Sequence, residues 1–123
     1  MSAEQRFGPN SAAIERMLER LGTATPEELR AVGDARRGVW RGPWGVAWNT
    51  VKKAGRREQW NAAWLAAWNA SRKGGRPIVS ISARFSMSGA MLAVLVRDLL
   101  PPKHFATLTA PWAKVFGPTW EER

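Results

Sequence analysis

The side chains of this sequence that could do chemistry are its cations, because the groups that catalysis needs are sparse. The chain has 123 residues, with 19 Lys and Arg, 10 Asp and Glu and one histidine. It has no cysteine, which excludes a disulfide scaffold, a thiolate metal site and a cysteine nucleophile. His104 has no nucleophile beside it, and neither a glycine-rich phosphate loop nor a nucleophile elbow occurs. We therefore expect no enzyme, no metal, no cofactor and no small-molecule substrate.

The cations are concentrated in the middle of the chain. Residues 36–84 carry eleven basic side chains and a single acid, Glu58, whereas the remaining residues are close to neutral. Such a field attracts polyanions, and nucleic acid is the commonest of them. A solubilising face in a protein from a GC-rich genome is the alternative interpretation. The residues that we predict to bind nucleic acid are Arg41, Lys52, Lys53, Arg56, Arg57, Arg72, Lys73, Arg76 and Arg84.

The pattern of these cations favours sequence-tolerant binding of double-stranded DNA through its phosphates. The segment Lys73–Pro77 resembles the core of an AT-hook, which implies that Arg76 enters a minor groove. A helix C-cap followed by a proline-led turn explains the same glycines without DNA. Asn49 and Asn69 would suit adenine edges if their helices entered a major groove. A homodimer is also expected, because small basic DNA-binding proteins often use two-fold symmetry.

Six tryptophans form two triplets that are twenty residues apart, at positions 40, 44, 48 and 60, 64, 68. The neighbouring residues recur too, so the sequence predicts a duplicated basic unit over 40–76, folded as a helical hairpin. Spacing of four residues places each triplet on one helix face. That face is either a core seam or an exposed aromatic surface. The second option gives an alternative function, a protein-interaction module of a phage or host regulator that docks a partner through exposed tryptophans.

Hydrophobic spacing predicts an all-α single domain of five to six helices over residues 1–123, with flexible ends at 1–10 and 118–123. The most apolar segment, 78–100, favours a central buried helix, although 78–82 could instead be a short strand. A capping box opens at Thr25, and Pro43 is suited to a helix start. The other helices are expected at 11–21, from Thr25 to about Arg37, from near Pro43 to Gly55, and over 58–73, with two short pieces at 103–109 and 111–116.

Several short segments resemble a group of small Ala/Trp-rich proteins of actinobacteria and their phages. They are Thr25–Ala31, the pairs Ala63–Trp64 and Ala67–Trp68, Val96–Leu100 and Ala110–Trp112. The resemblance implies an all-helical cytoplasmic protein of actinobacterial or phage origin, and it implies nothing about the mechanism. The start of the chain has no apolar leader and no segment is long enough to span a bilayer, which favours the same location. DNA binding would place the protein at the nucleoid.

Overall fold

A computed structural model describes residues 6–35, 41–73 and 80–121. These ranges contain helices and turns but no strand, which confirms the all-α prediction. A short 3₁₀ turn at Gly8–Asn10 precedes the first α-helix. The α-helices are α1 (Ser11–Gly22), α2 (Pro26–Asp34), α3 (Arg41–Lys53), α4 (Arg57–Ser71), α5 (Ile81–Leu95) and α6 (Pro102–Phe116).

Helix α5 is the centre of the fold, as its apolar sequence predicted. Every residue from Ser86 to Val96 is buried, and α5 contacts each of the other five helices. It begins later than expected because the Ser80 side chain caps it, accepting a hydrogen bond from the Ala83 amide at 3.2 Å. It ends at Leu95 rather than near residue 100. Residues 81 and 82 are helical, so the alternative prediction of a short strand over 78–82 is wrong for these two residues. Residues 78–79 lie outside the described residues.

Helix α2 crosses α5 at very short range. The predicted capping box is confirmed, because Thr25 Oγ1 accepts from the Glu28 amide and Glu28 Oε1 accepts from the Thr25 amide. Near the other end of α2, a Cβ on Gly33 would lie 2.8 Å from the backbone nitrogen of Ala83. Only glycine allows the two backbones to meet there. The helix ends at Asp34 instead of near Arg37, which lies outside the described residues.

The two tryptophan-bearing helices, α3 and α4, are joined by a tight turn. Gly55 has φ +70°, and the amides of Gly55 and Arg56 donate to the carbonyls of Lys52 and Val51 at 3.2 and 3.0 Å. This is a Schellman motif, the C-terminal signal expected from the sequence. From the turn, both helices pack against α5 more than against each other. They therefore straddle α5, and the duplication itself stays a prediction.

The start of α3 differs from the predicted start at Pro43. The helix is already present at Arg41, two residues before Pro43. Pro43 is tolerated in the first turn because the N–H groups there have no helical carbonyl to donate to, so the N–H that proline lacks costs the helix no hydrogen bond. Gly42 and Gly45 also lie in this half of α3, and a Cβ on either would meet no atom within 4 Å among the described residues. Trp40, expected at the entrance of the helix, lies outside the described residues.

Helix α6 corrects the prediction of two short pieces at 103–109 and 111–116. It is continuous from Pro102 to Phe116, with Pro111 in its interior. A proline there removes the bond to the carbonyl four residues earlier. Burial of Leu108, Pro111 and Trp112 on one face stabilises the helix across this defect.

The predicted flexible ends at 1–10 and 118–123 are described only over 6–10 and 118–121, where two aromatic side chains pack against the core. Phe7 is fully buried, and its amide donates to Ser11 Oγ at 2.7 Å. Trp120 is also buried, with its ring edge-on to Phe105. The Trp120 carbonyl accepts a hydrogen bond from Arg16 Nε at 3.2 Å. Aromatic burial at these positions outweighs the entropy of a loose chain end.

Candidate nucleic-acid interface

Most of the predicted cations lie at the two ends of helix α4. Lys52 and Lys53 are exposed in the last turn of α3, next to Arg57 at the start of α4, and these three residues are the proximal basic end. The distal basic end consists of Arg72 and Lys73, which follow α4, and Arg84 of α5. Helix α4 has 15 residues, so the two ends are about 22 Å apart.

The tryptophans hold the arginines of both basic ends in place. At the distal end, the Cζ atoms of Arg72 and Arg84 lie 5.5 and 5.4 Å from the ring centroid of Trp68. At the proximal end, Arg57 Cζ lies 6.0 Å from the ring centroid of Trp48. Cation–π attraction at these distances orders the guanidinium groups while leaving their charge in place.

Arg56 differs from the other predicted phosphate ligands because its guanidinium is held in an ion pair, and its assignment as a phosphate ligand stays a prediction. Its Nη1 and Nη2 donate to Oδ1 and Oδ2 of Asp98, both at 2.8 Å. Nη1 also donates to the Leu95 carbonyl. The side-chain amide of Asn10 donates to the same Leu95 carbonyl and to Asp98 Oδ1. Arg56 therefore joins the α3–α4 turn to the C-terminus of α5, and its charge is neutralised by a bidentate partner.

The ion pair makes stability depend on pH in the acid range. The Arg56 hydrogen bond, supported by Asn10, lowers the pKa of Asp98 from 3.8 to about 2, against a smaller opposing effect of burial. Because the folded pKa is lowered, the stabilisation is present above pH 3.8 and is lost as pH falls towards 2. The Asp98 side chain is 39% exposed, so solvent screening reduces the contribution to about 1 kcal/mol.

We expect Asp98→Asn to lower the free energy of unfolding at pH 7 by about 1 kcal/mol and to flatten its decline between pH 4 and pH 2. Urea unfolding followed by circular dichroism across this range measures both effects. Glu19→Gln, at an exposed position of α1, is the control and should leave the acid slope of the wild type intact. A variant profile with the same acid slope as the wild type would show that Asp98 does not cause it.

Of the two remaining predicted cations, Arg41 and Arg76, the described residues include only Arg41. Arg41 is exposed at the start of α3, at the opposite end of that helix from Lys52 and Lys53. Arg76 lies outside the described residues, so its assignment to a minor groove stays a prediction. The structure thus brings six of the nine predicted cations to the ends of α4, assigns Arg56 to the ion pair with Asp98, and leaves Arg41 separate.

The exposed face of α4 between the two basic ends carries two amides, one apolar side chain and one acid. Asn61, Leu65 and Asn69 are exposed at four-residue spacing, and Glu58 is the acid of this helix. Asn69 was singled out from the sequence, whereas Asn61 was missed although it lies on the same face two turns earlier. Asn49 is likewise exposed, on α3. Side-chain amides on such a face can donate to phosphates or pair with base edges.

The tryptophan stripe is turned towards the core, as the structural interpretation predicted. Trp60 is buried, and Trp44, Trp48, Trp64 and Trp68 are half-buried. Neighbouring rings stack along each helix, with centroids 6.2 Å apart for Trp44 and Trp48 and 5.7 Å apart for Trp60 and Trp64. The described tryptophans therefore stabilise the packing of α3 and α4.

An aromatic groove opens where α3 and α4 straddle the first half of α5. Its main lobe has a volume of about 450 Å³ and is lined by Trp44, Trp60, Trp64, Ile81, Arg84, Phe85 and Ser88. A second lobe of about 370 Å³ shares Trp64 and Arg84 and adds Asn61, Leu65 and Trp68. Three apolar side chains at the groove are strongly exposed, Leu65 at 61%, Ile81 at 63% and Phe85 at 46%. The sequence placed Ile81 and Phe85 on a buried helix and did not reveal this surface.

Comparisons with known proteins add no further assignment. No protein-family model matches the chain, and no curated protein or solved structure is significantly similar to it. The resemblance to Ala/Trp-rich proteins of actinobacteria and their phages therefore stays a prediction. Among the described residues, no three His, Asp or Glu side chains are grouped as metal ligands would be. None of the described helices combines the length and apolar composition needed to cross a bilayer.

Proposed function

We propose that the protein binds nucleic acid in a sequence-tolerant manner, with duplex DNA as its first candidate substrate. The proposal is supported chiefly by the exposed cations at both ends of α4. Their separation of about 22 Å corresponds to about six base pairs at 3.4 Å each, so both ends can contact one DNA backbone. Phosphate contacts carry little sequence information, so the proposed binding tolerates different nucleotide sequences.

The exposed face of α4 between these ends, which carries one acid, supports the same orientation. Asn61 and Asn69 offer donors along the path of the strand, and Leu65 brings no charge. Glu58 is the single carboxylate on this helix, and the cation Arg57 precedes it in the chain. A phosphate backbone lying along α4 therefore meets attraction at both ends and little repulsion between them.

The salt dependence of binding tests the proposal. Five phosphate contacts, by Lys52, Lys53, Arg57, Arg72 and Lys73, predict a slope of log K against log salt of about −4.5. Affinity for a random duplex should then fall by several hundredfold between about 50 and 200 mM salt. Fluorescence anisotropy with a labelled duplex measures it. A folded protein that does not bind at low salt, or binds equally at both concentrations, would contradict the proposal.

The alternative function, docking of a protein partner through exposed tryptophans, gains less support. The five described tryptophans of α3 and α4 are buried or half-buried, so they do not form an exposed stripe. Of the exposed apolar side chains among the described residues, Leu65, Ile81 and Phe85 belong to the aromatic groove, whereas Val46 and Leu99 lie elsewhere. The homodimer stays part of the nucleic-acid proposal, and sedimentation at several concentrations would detect it.

A further inference from the structure

We propose that the aromatic groove between α3 and α4 holds an unpaired nucleobase, so that single-stranded or bulged DNA adds a base contact to the phosphate contacts proposed for duplex DNA and binds more tightly. The proposal rests on the proposed function, since the basic ends of α4 would hold the phosphates of the same strand. It assigns a role to exposed apolar side chains that phosphate binding leaves unexplained.

The groove is lined mainly by aromatic side chains. Trp44 stands on the α3 side, Trp60 and Trp64 on the α4 side, and Phe85 on α5 between them. The main lobe, about 450 Å³, is within the size range of sites for small organic ligands. Bases stack on aromatic side chains whatever their sequence, because every base has a π-face. The groove therefore offers a stacking surface that a base inside a closed duplex cannot reach.

The fixed orientation of the rings favours a preformed site. Trp44 Nε1 donates to Ser88 Oγ at 3.3 Å, and Ser88 Oγ donates to the Phe85 carbonyl at 3.0 Å. Trp64 stacks on Trp60, which is almost fully buried. A base entering the groove would thus meet walls that are held in place, which lowers the ordering cost of binding.

The positive charge at the groove favours an occupant that carries negative charge. Among the described residues that line its two lobes, Arg84 is the one charged side chain and none is a carboxylate. Arg84 Nε is buried without a hydrogen-bond partner in the described structure, and Arg72 lies on the same Trp68 ring. An occupant that is flat, apolar and accompanied by negative charge satisfies all of these groups. A nucleotide has this combination, with its base in the groove and its phosphate at the distal basic end.

The amide of Asn61 completes the site. It lies in the second lobe beside Trp64, on the exposed face of α4. An Asn side chain offers both a donor and an acceptor, which suits the hydrogen-bonding edge of an unpaired base. A second copy of this protein is a poorer occupant, because each copy carries a net charge of +9.

The experiment compares a 12-nucleotide single strand with a 12-base-pair duplex at equal salt. We expect the wild-type protein to bind the single strand more tightly and to lose tryptophan fluorescence on binding it, because the base stacks against indole rings. Phe85→Ala and Ile81→Ala should each weaken single-strand binding, Phe85→Ala by about fivefold or more, and leave duplex binding unchanged. Leu99→Ala removes a similarly exposed side chain, 51% exposed, beyond the far end of α5 and should change neither.

Each other outcome overturns the proposal in a recognisable way. Equal affinity for both DNAs without fluorescence change, combined with salt-dependent duplex binding, would refute the base site and leave the proposed function intact. No binding of either DNA by the folded protein would refute both. Self-association that Phe85→Ala abolishes, or capture of an acidic peptide without single-strand binding, would make the groove a protein-docking site instead.

Discussion

Replacing Lys52, Lys53 and Lys73 together by alanine is expected to weaken binding to a random duplex by about 100-fold or more at 50 mM salt. All three lysines are exposed; Lys52 and Lys53 belong to the proximal basic end and Lys73 to the distal basic end. Each phosphate contact that is lost reduces the number of released counterions, so the slope of log K against log salt should become shallower by about 2.7. Anisotropy titrations at four salt concentrations give the affinity and the slope from one set of samples.

The matched control removes the same number of charges elsewhere. Arg30, Lys103 and Lys114 are exposed cations on α2 and α6, and their replacement by alanine lowers the net charge by the same amount. A long-range effect of net charge would be equal in the two triple variants, whereas phosphate contacts at the ends of α4 predict a much smaller loss for the control. Equal losses would refute the interface.

Trp112→Ala is expected to lower the free energy of unfolding by about 3–5 kcal/mol, a large part of the stability of a domain this size. Trp112 is fully buried on α6, and its ring packs against Phe116 with centroids 4.8 Å apart. Its Nε1 donates to Thr119 Oγ1 at 2.9 Å, so alanine removes both the packing and the bond. Urea unfolding at pH 7 measures the loss, and the thermal midpoint should fall in parallel.

The control for this variant is Leu99→Ala, because Leu99 is half exposed at the surface. Its loss should stay within about 0.5 kcal/mol, as for most surface substitutions. A loss for Trp112→Ala as small as that of the control would show that α6 does not pack as described.

The parts of the fold that the sequence predicted correctly depend on local patterns. The capping box at Thr25 needs residues three apart, and the turn glycine Gly55 lies two residues after Lys53, the last residue of α3. The apolar composition around residue 90 identified the central helix. The break predicted at Pro111 was wrong. Proline usually interrupts a helix, but here the burial of residues on both sides of Pro111 keeps the helix continuous.

The features that the sequence did not predict depend on residues far apart in the chain. Arg56 and Arg57 are adjacent and chemically identical, yet only Arg56 reaches Asp98, 42 positions away. No local signal distinguishes them. The aromatic groove likewise exists because α3 and α4 diverge across α5 and leave Ile81 and Phe85 uncovered. The apolar residues of a helix that is predicted to be buried do not show which end of it other helices leave exposed.

The glycine content of α3 has a consequence for the motions of the molecule. Gly42 and Gly45 together reduce its helix propensity by about 2 kcal/mol relative to alanine, and Pro43 stands between them. Local unfolding starts where the backbone is least stabilised, so this half of α3 opens more readily than α5. Trp44 lies in that half and forms one side of the groove. The amides of residues 45–48 should accordingly exchange with solvent early, and each such opening would briefly remove the Trp44 side from a groove that is otherwise preformed.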